Sequence, residues 1–243
     1  MENTVEILNN KALLLRLRNP QKVTTVIPKS KELQNNEVLV NWGLEEAHVL
    51  KNLGMKVPSP IEGRYAWPGQ YKPFDHQRVT ASFLTMNRRS FCFNEQGTGK
   101  TASAIWAADF LMTQRKIRRV LVICPLSIMD SAWRADLFSF AMHRTVDVAY
   151  GAKEKRRKII NGGAEFVVIN YDGVEIVAED IAKGGFDLII VDEATHYKNP
   201  QTKRWKSLNK LIGPTTWLWM MTGTPAAQSP LDAYGIAKLV NPQ

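Results

Sequence analysis

From about residue 74 onward, the chain alternates short apolar runs with longer segments of helical periodicity. The apolar runs have the length of strands and lie at residues 91–93, 120–124, 166–169, 188–191 and 217–221. Helical periodicity is clearest over residues 101–112 and 129–140. Near-continuous apolar strands separated by helices predict an α/β fold with a mostly parallel sheet that helices cover on both faces. In such a fold, a ligand is expected at the carboxyl ends of the strands.

The N-terminal part, residues 1–57, has a different pattern and predicts a small β-rich unit. Three β-prone runs, separated by Asn-Pro and Pro-Lys-Ser turn signals, lie at residues 12–17, 23–27 and 38–42. A short helix is predicted over residues 45–53, ending at Gly54. Residues 58–73 are rich in proline and glycine, which predicts a linker or fixed loop before a main domain at residues 74–243.

The most specific local signal is the segment Asn-Glu-Gln-Gly-Thr-Gly-Lys-Thr at residues 94–101, which lies between a strand and a helix. Its glycines let the backbone N–H groups converge, and the helix adds the positive end of its dipole. In a phosphate-binding loop, Lys100 would pair with the β- and γ-phosphates, and the Thr101 hydroxyl would hold Mg²⁺. The full pattern has glycine at position 94, where this chain has Asn, and an ordinary glycine turn is the alternative. The residues expected to contact the nucleotide here are Gln96, Gly97, Thr98, Gly99, Lys100 and Thr101.

Two adjacent carboxylates, Asp192 and Glu193, follow the apolar run at residues 188–191. Carboxylates at a buried strand end are costly unless a cation compensates them. With the glycine loop upstream, Asp192 is expected to hold Mg²⁺ and Glu193 to orient the attacking water. Lys100, Asp192 and Glu193 are therefore the predicted catalytic residues, with ATP and Mg²⁺ as cofactors. In isolation, an Asp-Glu pair is also common in a solvated turn after a strand.

Composition narrows the class of partner and the cellular location. The formal net charge of +9 and the pI near 9.6 favour nucleic acid or another polyanion, because each neutralised phosphate releases counterions. The sequence has neither an apolar stretch long enough for a membrane span nor the pattern of a signal peptide, so we expect a cytoplasmic protein. Cys92 and Cys124 each lie in an apolar run, which predicts reduced thiols in the core.

Taken together, the motifs resemble those of superfamily-two helicases, and among these the Swi/Snf-type DNA translocases and their annealing-helicase relatives. Segments similar to the family's motifs occur in the family's order at residues 71–77, 94–101, 124–127 with Trp133, 192–199 and 222–225. The resemblance implies a RecA-like P-loop NTPase domain in which Gln77 reads the adenine base. It also implies that Thr222 and Thr224 couple hydrolysis to strand contacts. After Asp-Glu-Ala the family has histidine, where this chain has Thr195 followed by His196.

The resemblance further implies a nucleic-acid surface in loops at the strand ends opposite the nucleotide, with double-stranded DNA as the expected partner. Backbone amides, hydroxyls and lysines suit phosphates because they position a strand without reading its sequence. The candidate contacts are Pro125, Ser127, Asn170, Lys198 and Asn199. Each of these turns is also compatible with a purely structural role. The basic runs at residues 115–119 and 153–158 are predicted to be solvated surface.

Members of this family form their ATP site between two RecA-like domains, and the second supplies an arginine finger. The chain ends about where the first domain would end, so we expect a monomeric piece of a longer motor, weak or inactive without its second domain. The predicted function is the ATP-binding motor domain of a double-stranded DNA translocase that remodels or anneals DNA. The alternatives are a strand-separating DNA or RNA helicase, a restriction-system motor, and a nucleotide-gated nucleic-acid-binding module without turnover.

Overall fold

The computed structural model describes residues 3–95, 97–224 and 230–241. The chain forms two compact units, Met1–Ala66 and Trp67–Gln243. In the described ranges, none of the helices combines the length and apolar character needed to cross a membrane.

The first unit contains a four-stranded antiparallel sheet in the order β1-β2-β4-β3. Its strands are β1 (Thr4–Leu8), β2 (Ala12–Arg16), β3 (Lys31–Glu32) and β4 (Glu37–Asn41). Its helices are α1 (Gln21–Val26), α2 (Leu44–Asn52) and α3 (Ile61–Arg64). The central strands alternate, so that Leu13 and Leu15 of β2 pack with Val38 and Val40 of β4 in one buried cluster. This sheet confirms the predicted β-rich N-terminal unit.

The predicted strand at residues 23–27 is wrong, because most of this run lies in α1. Val23 and Ile27 are both buried in the core of the first unit. Their spacing of four residues places them on one face of a helix, but it would also place them on one face of a strand, so the apolar pattern does not distinguish the two structures. Pro20 precedes the helix with a helical backbone, which suits a residue whose φ is fixed. β1 was not predicted from the sequence.

The second unit is built on a six-stranded parallel sheet in the order β5-β10-β9-β6-β8-β7. Its strands are β5 (Arg89–Cys92), β6 (Val120–Cys124), β7 (Val146–Ala149), β8 (Phe166–Asn170), β9 (Leu188–Val191) and β10 (Trp217–Met221). Its helices are α4 (Asp75–Thr85), α5 (Lys100–Thr113), α6 (Ala135–Phe140), α7 (Lys153–Ile160), α8 (Tyr171–Ile176), α9 (Ala178–Lys183), α10 (Lys203–Leu211) and α11 (Pro230–Val240). The parallel sheet with its helices confirms the predicted α/β fold class.

Every residue of β6, β8, β9 and β10 is buried, which explains why these strands are uniformly apolar in sequence. β5 is buried only at alternate residues and ends at Cys92, one residue before the predicted end. Cys92 and Cys124 are free and buried, as expected, and burial raises the pKa of both thiols.

The helix predicted at residues 129–140 is divided into a π-helical turn, Met129–Arg134, and α6. A π turn contains one more residue than an α turn and often marks a functional site. Here it contains Trp133, which is completely buried. The π turn therefore places a large buried side chain next to the carboxyl edge of the sheet.

Candidate nucleotide and nucleic-acid site

The glycine loop connects the carboxyl end of β5 to the first residue of α5, which is Lys100. Gly97 and Gly99 have φ of 78° and 75°, the left-handed region that glycine adopts without strain. Because the loop ends at a helix N-terminus, unpaired backbone N–H groups and the helix dipole both favour a bound anion. Gln96 lies outside the described residues.

The Lys100 side chain lies over this loop and is 9% exposed. Its ammonium group donates hydrogen bonds of 2.9 Å to the carbonyl oxygens of Asn94 and Glu95. These are neutral acceptors, so a phosphate oxygen would be a stronger partner for the same ammonium group. Thr101 follows on the first turn of α5 and is partly exposed.

Gln77 connects the start of α4 to the glycine loop. Its amide oxygen accepts from the Phe74 N–H at 3.0 Å, and its amide nitrogen donates to the Thr98 carbonyl at 3.3 Å. A side chain at Gly99 would overlap the Gln77 amide, so the two residues must be compatible. His76 also lies within 3.0 Å of the Thr98 carbonyl through its Nε2. The predicted base-reading residue and the phosphate loop are therefore in direct contact.

The Asn at position 94, where the phosphate-loop pattern has glycine, has a structural partner. Its Nδ2 donates to the Thr80 hydroxyl at 2.8 Å, which fastens the loop to α4. A cavity of about 520 Å³ lies beside this contact, and its lining residues include His76, Val79, Asn94 and Thr98. Asn94 therefore both connects the loop to α4 and lines this cavity.

Asp192 follows β9 at the carboxyl edge of the sheet and is 7% exposed. Its Oδ2 accepts from the Trp133 indole N–H at 2.9 Å, and its Oδ1 accepts from the Glu193 N–H at 3.0 Å. The pKa of Asp192 is raised, chiefly because the carboxylate is buried, and the charge of Glu193 raises it further. The hydrogen bond from Trp133 and the charge of Lys100 act in the opposite direction. The glycine loop and Asp192 follow β5 and β9, which are separated in the sheet by β10 alone.

Glu193 has a left-handed backbone, with φ of 49° and ψ of 59°. At 3.5 Å, the Thr222 hydroxyl lies at the outer limit for donating to its Oε2, and this hydroxyl also accepts from the Thr224 N–H at 3.2 Å. Thr222 is fully buried just after β10, the strand between β5 and β9. Thr222 therefore contacts the predicted catalytic glutamate directly, and Thr224 is connected to it through the Thr222 hydroxyl. Pro225 lies outside the described residues.

Trp133 and Tyr171 are the site residues whose roles sequence reasoning missed. The Tyr171 hydroxyl donates to the Asp192 carbonyl at 2.6 Å, and burial raises the pKa of this phenol, so it keeps its proton. Trp133 was visible as part of a motif, and Tyr171 as part of a turn, but neither pattern names a partner. Both partners are found only because β6, β8 and β9 are neighbours in the sheet.

The residues present fit a magnesium ion that arrives with a nucleotide. Among the described residues, no cluster of three or more His, Cys, Asp or Glu side chains could hold a metal on its own. Mg²⁺ in nucleotide sites takes only one or two protein oxygens and fills its shell with phosphates and water. The Asp192 carboxylate and the Thr101 hydroxyl offer such oxygens, each from one side of the predicted site.

The candidate nucleic-acid contacts were predicted at the strand ends opposite the nucleotide, and this placement is wrong. They lie at the same carboxyl edge as the glycine loop, where they follow β6, β8 and β9 instead of β5. Pro125 is partly exposed, and Ser127 is exposed in a 3-10 turn, Leu126–Ile128. Asn170 is buried, and its Oδ1 accepts from Arg156 at 2.9 Å. Lys198 is partly exposed and Asn199 exposed, just past a second 3-10 turn. A phosphate could approach Ser127 and Asn199 more directly than the Asn170 side chain.

The sequence profile of the SNF2-related domain family matches residues 40–243. This chain belongs to that family. In this SNF2-related domain, the glycine loop and the acidic pair lie at the carboxyl edge of one six-stranded parallel sheet. The solved SWI2/SNF2 ATPase core of Sulfolobus solfataricus in complex with dsDNA is similar over 72% of this chain and 37% of that one, with 26% identity and a TM-score of 0.64. The similarity covers the first RecA-like domain.

Curated relatives of this SNF2-related domain include helicases and chromatin proteins. It is 23% identical to the uncharacterized ATP-dependent helicase YqhH of Bacillus subtilis, over 88% of this chain and 37% of that protein. It is 26% identical to the DNA repair and recombination protein RAD54-like of Gallus gallus, over 76% of this chain and 27% of that protein. The chain therefore spans little more than a third of these relatives at most. The family supports an ATPase-type, helicase-like enzyme class.

Proposed function

We propose that this chain is the ATP-binding motor domain of an ATP-dependent double-stranded DNA translocase, one that remodels or anneals DNA. The observation that carries the proposal is that the glycine loop with Lys100 and the Asp192-Glu193 pair both lie at the carboxyl edge of the sheet, after strands that flank β10. Lys100 is the first residue of α5, directly after the glycine loop, and Asp192 directly follows β9. A cation and a carboxylate in this arrangement suit a phosphate chain with a bound divalent metal.

Each side chain has a distinct part in this proposal. Lys100 exchanges its carbonyl partners for the β- and γ-phosphate oxygens, and the N-terminus of α5 binds the phosphates through its N–H groups. Mg²⁺, held by Asp192 and Thr101, would neutralise charge on the phosphates. Glu193 orients the attacking water and accepts its proton, while Gln77 contacts the base from its position against Gly99.

Double-stranded DNA is the proposed substrate because a structural relative, the SWI2/SNF2 ATPase core of Sulfolobus solfataricus, was solved in complex with dsDNA. The exposed Ser127 and Asn199 turns, with the chain's net charge of +9, support contact with the phosphate backbone. Because the chain spans about a third of its relatives, we propose that hydrolysis needs a second RecA-like domain to complete the ATP site. The domain is proposed to act as a cytoplasmic monomer within that motor.

The first test is calorimetric binding of Mg²⁺-ATP to the chain, to Lys100→Ala, and to Lys210→Ala as a control at an exposed lysine of α10. We expect binding by the wild type and Lys210→Ala, and loss of at least tenfold in affinity for Lys100→Ala. The second test measures ATPase activity of the protein joined to a second RecA-like domain, with duplex DNA, single-stranded DNA or RNA. Stimulation by RNA or single strands but not by duplex would contradict the proposed substrate. Absence of nucleotide binding would contradict the whole proposal.

A further inference from the structure

Glu193 is a non-glycine residue of the site held in the left-handed region of the backbone. Such a conformation is unfavourable for an L residue and persists only where neighbouring groups hold it. The left-handed conformation of Glu193 matters because the position of its carboxylate depends on the backbone. The contacts that hold the residue are therefore the contacts that set the geometry of the proposed catalytic group.

The backbone around Glu193 is held from the β8 side by one hydroxyl group. Tyr171 donates to the Asp192 carbonyl at 2.6 Å, and its oxygen lies 3.5 Å from the Glu193 carbonyl. The carboxylate is approached from the other side by Thr222, at 3.5 Å. The contact to the Asp192 carbonyl is the shortest of these, and the N–H of the same peptide donates to Asp192 Oδ1 at 3.0 Å. Tyr171 is therefore the restraint on the peptide between Asp192 and Glu193 that comes from the β8 side.

The same tyrosine belongs to the turn after β8, which is one of the candidate contacts for a nucleic-acid backbone. It is the first residue of α8, directly after Asn170, and the following Asp172 is exposed. Arg204 of α10 forms an ion pair with Asp172 and lies over the Tyr171 ring, 5.2 Å from its centre. A phosphate near this turn would compete with Asp172 for Arg204, and so would act on a residue that covers the Tyr171 ring.

The ring of Tyr171 also contacts the acidic motif, which comprises residues 192–199. The His196 ring lies 4.5 Å away, centre to centre, and His196 stands in the 3-10 turn that begins after Glu193. The histidine of the acidic motif, displaced by one position in this chain, therefore contacts the β8 turn. Tyr171 is thus joined to the acidic motif through its hydroxyl and through its ring.

We infer that Tyr171 is a positioning residue that transmits contact at the β8 turn to the backbone of Glu193, so that duplex DNA raises the rate of ATP hydrolysis. This inference rests on the proposed function, since it concerns the regulation of the same site. The turn and the glutamate are linked through one side chain, and movement of α8 relative to β9 must change the hydrogen bond to the Asp192 carbonyl. No new contact to ATP or to DNA is required of the tyrosine.

The test uses the motor containing both RecA-like domains and compares Tyr171→Phe with Tyr234→Phe, a change at an exposed tyrosine of α11. Tyr171→Phe keeps the ring contacts and removes only the hydroxyl. We expect the DNA-stimulated kcat to fall about tenfold, the effect of one lost hydrogen bond. The KM for ATP and the DNA concentration at half-stimulation should change less than about twofold. Tyr234→Phe should match the wild type in all three quantities.

The outcomes separate this inference from the proposed function. If duplex DNA does not stimulate the wild type, the proposed function fails and the inference fails with it. If the wild type is stimulated and Tyr171→Phe is stimulated equally, only the inference fails. A parallel loss in kcat and in ATP affinity would indicate a structural role and also overturn it. Should Tyr171→Phe not fold, Arg204→Gln replaces it, and an unchanged stimulated kcat in that variant would equally contradict the inference.

Discussion

Two glycines of the loop before α5 share a backbone conformation but differ in their surroundings. Gly97 and Gly99 have φ of 78° and 75°. Among the residues that the structure describes, a Cβ on Gly97 would meet nothing within 4 Å, whereas a Cβ on Gly99 would overlap the Gln77 amide. Alanine at either position introduces the same backbone strain and the same loss of unfolded-chain entropy. The difference between the two variants therefore isolates the contact with Gln77.

The magnitude of that difference follows from the hydrogen bonds of Gln77. Left-handed alanine costs about 1–2 kcal/mol in both variants. Gln77 can swing away from a new Cβ, but it then gives up its bonds to the Phe74 N–H and the Thr98 carbonyl. At about 1 kcal/mol for each net hydrogen bond, Gly99→Ala should be about 2 kcal/mol less stable than Gly97→Ala. Displacement of Gln77 should also lower the preference for ATP over GTP by about tenfold.

The assay combines urea unfolding of the two variants with calorimetric titration of ATP and GTP. Both variants are expected to bind ATP more weakly than the wild type, because both crowd the phosphate loop. Only Gly99→Ala should lose discrimination between the two nucleotides. Equal stabilities would refute the role assigned to the Gln77 contact, and equal ATP-to-GTP ratios would refute base recognition by Gln77.

Two further predictions concern the buried Asp192 carboxylate. Trp133→Phe removes the indole donor at 2.9 Å and should lower Mg²⁺-ATP affinity about tenfold. Trp106→Phe is its control, because that indole donates at the same distance to the Pro68 carbonyl, and equal losses in the two variants would contradict the assignment. Burial raises the pKa of Asp192, so the folded metal-free domain keeps this proton to a higher pH than the unfolded chain. The protonated Asp192 therefore stabilises the folded domain at low pH. This stabilisation is lost as the pH rises from the ordinary carboxyl pKa of 3.8 through the raised pKa of the folded domain. Asp192→Asn cannot titrate at this position, so in EDTA the wild type should lose stability relative to this variant as the pH rises. The unfolding free energy of Asp192→Asn minus that of the wild type should therefore increase over this pH interval. A difference that does not change with pH would contradict the prediction.

The sequence predicted the parts of this molecule whose signal is local. Uniformly apolar runs predicted β6, β8, β9 and β10, because strands buried on both faces leave no room for alternation. The glycine loop was predictable because its backbone requires glycine at Gly97 and Gly99. Both features depend on residues that are close together in the chain.

The contacts that complete the site could not be predicted, because they join distant parts of the chain. Trp133 meets Asp192 across β6 and β9, and its approach depends on a π turn where the periodicity predicted a continuous helix. Residues 23–27 illustrate the same limit. This run is β-prone in sequence, but most of it lies in α1, where Val23 and Ile27 pack in the core of the first unit. Asn170 was expected at the surface, but a buried Arg156 binds its side chain.

Three unfavourable features of the second unit lie together at the carboxyl edge of its sheet. Asp192 is a buried carboxylate, Glu193 has a left-handed backbone, and the Lys100 ammonium has carbonyl partners. The strands behind them are buried throughout, so the edge cannot relax by moving the sheet. A bound nucleotide with its metal would supply an anion for Lys100 and a cation for Asp192. Ligand binding and folding stability are therefore linked at this edge, and both are set by the same few hydrogen bonds.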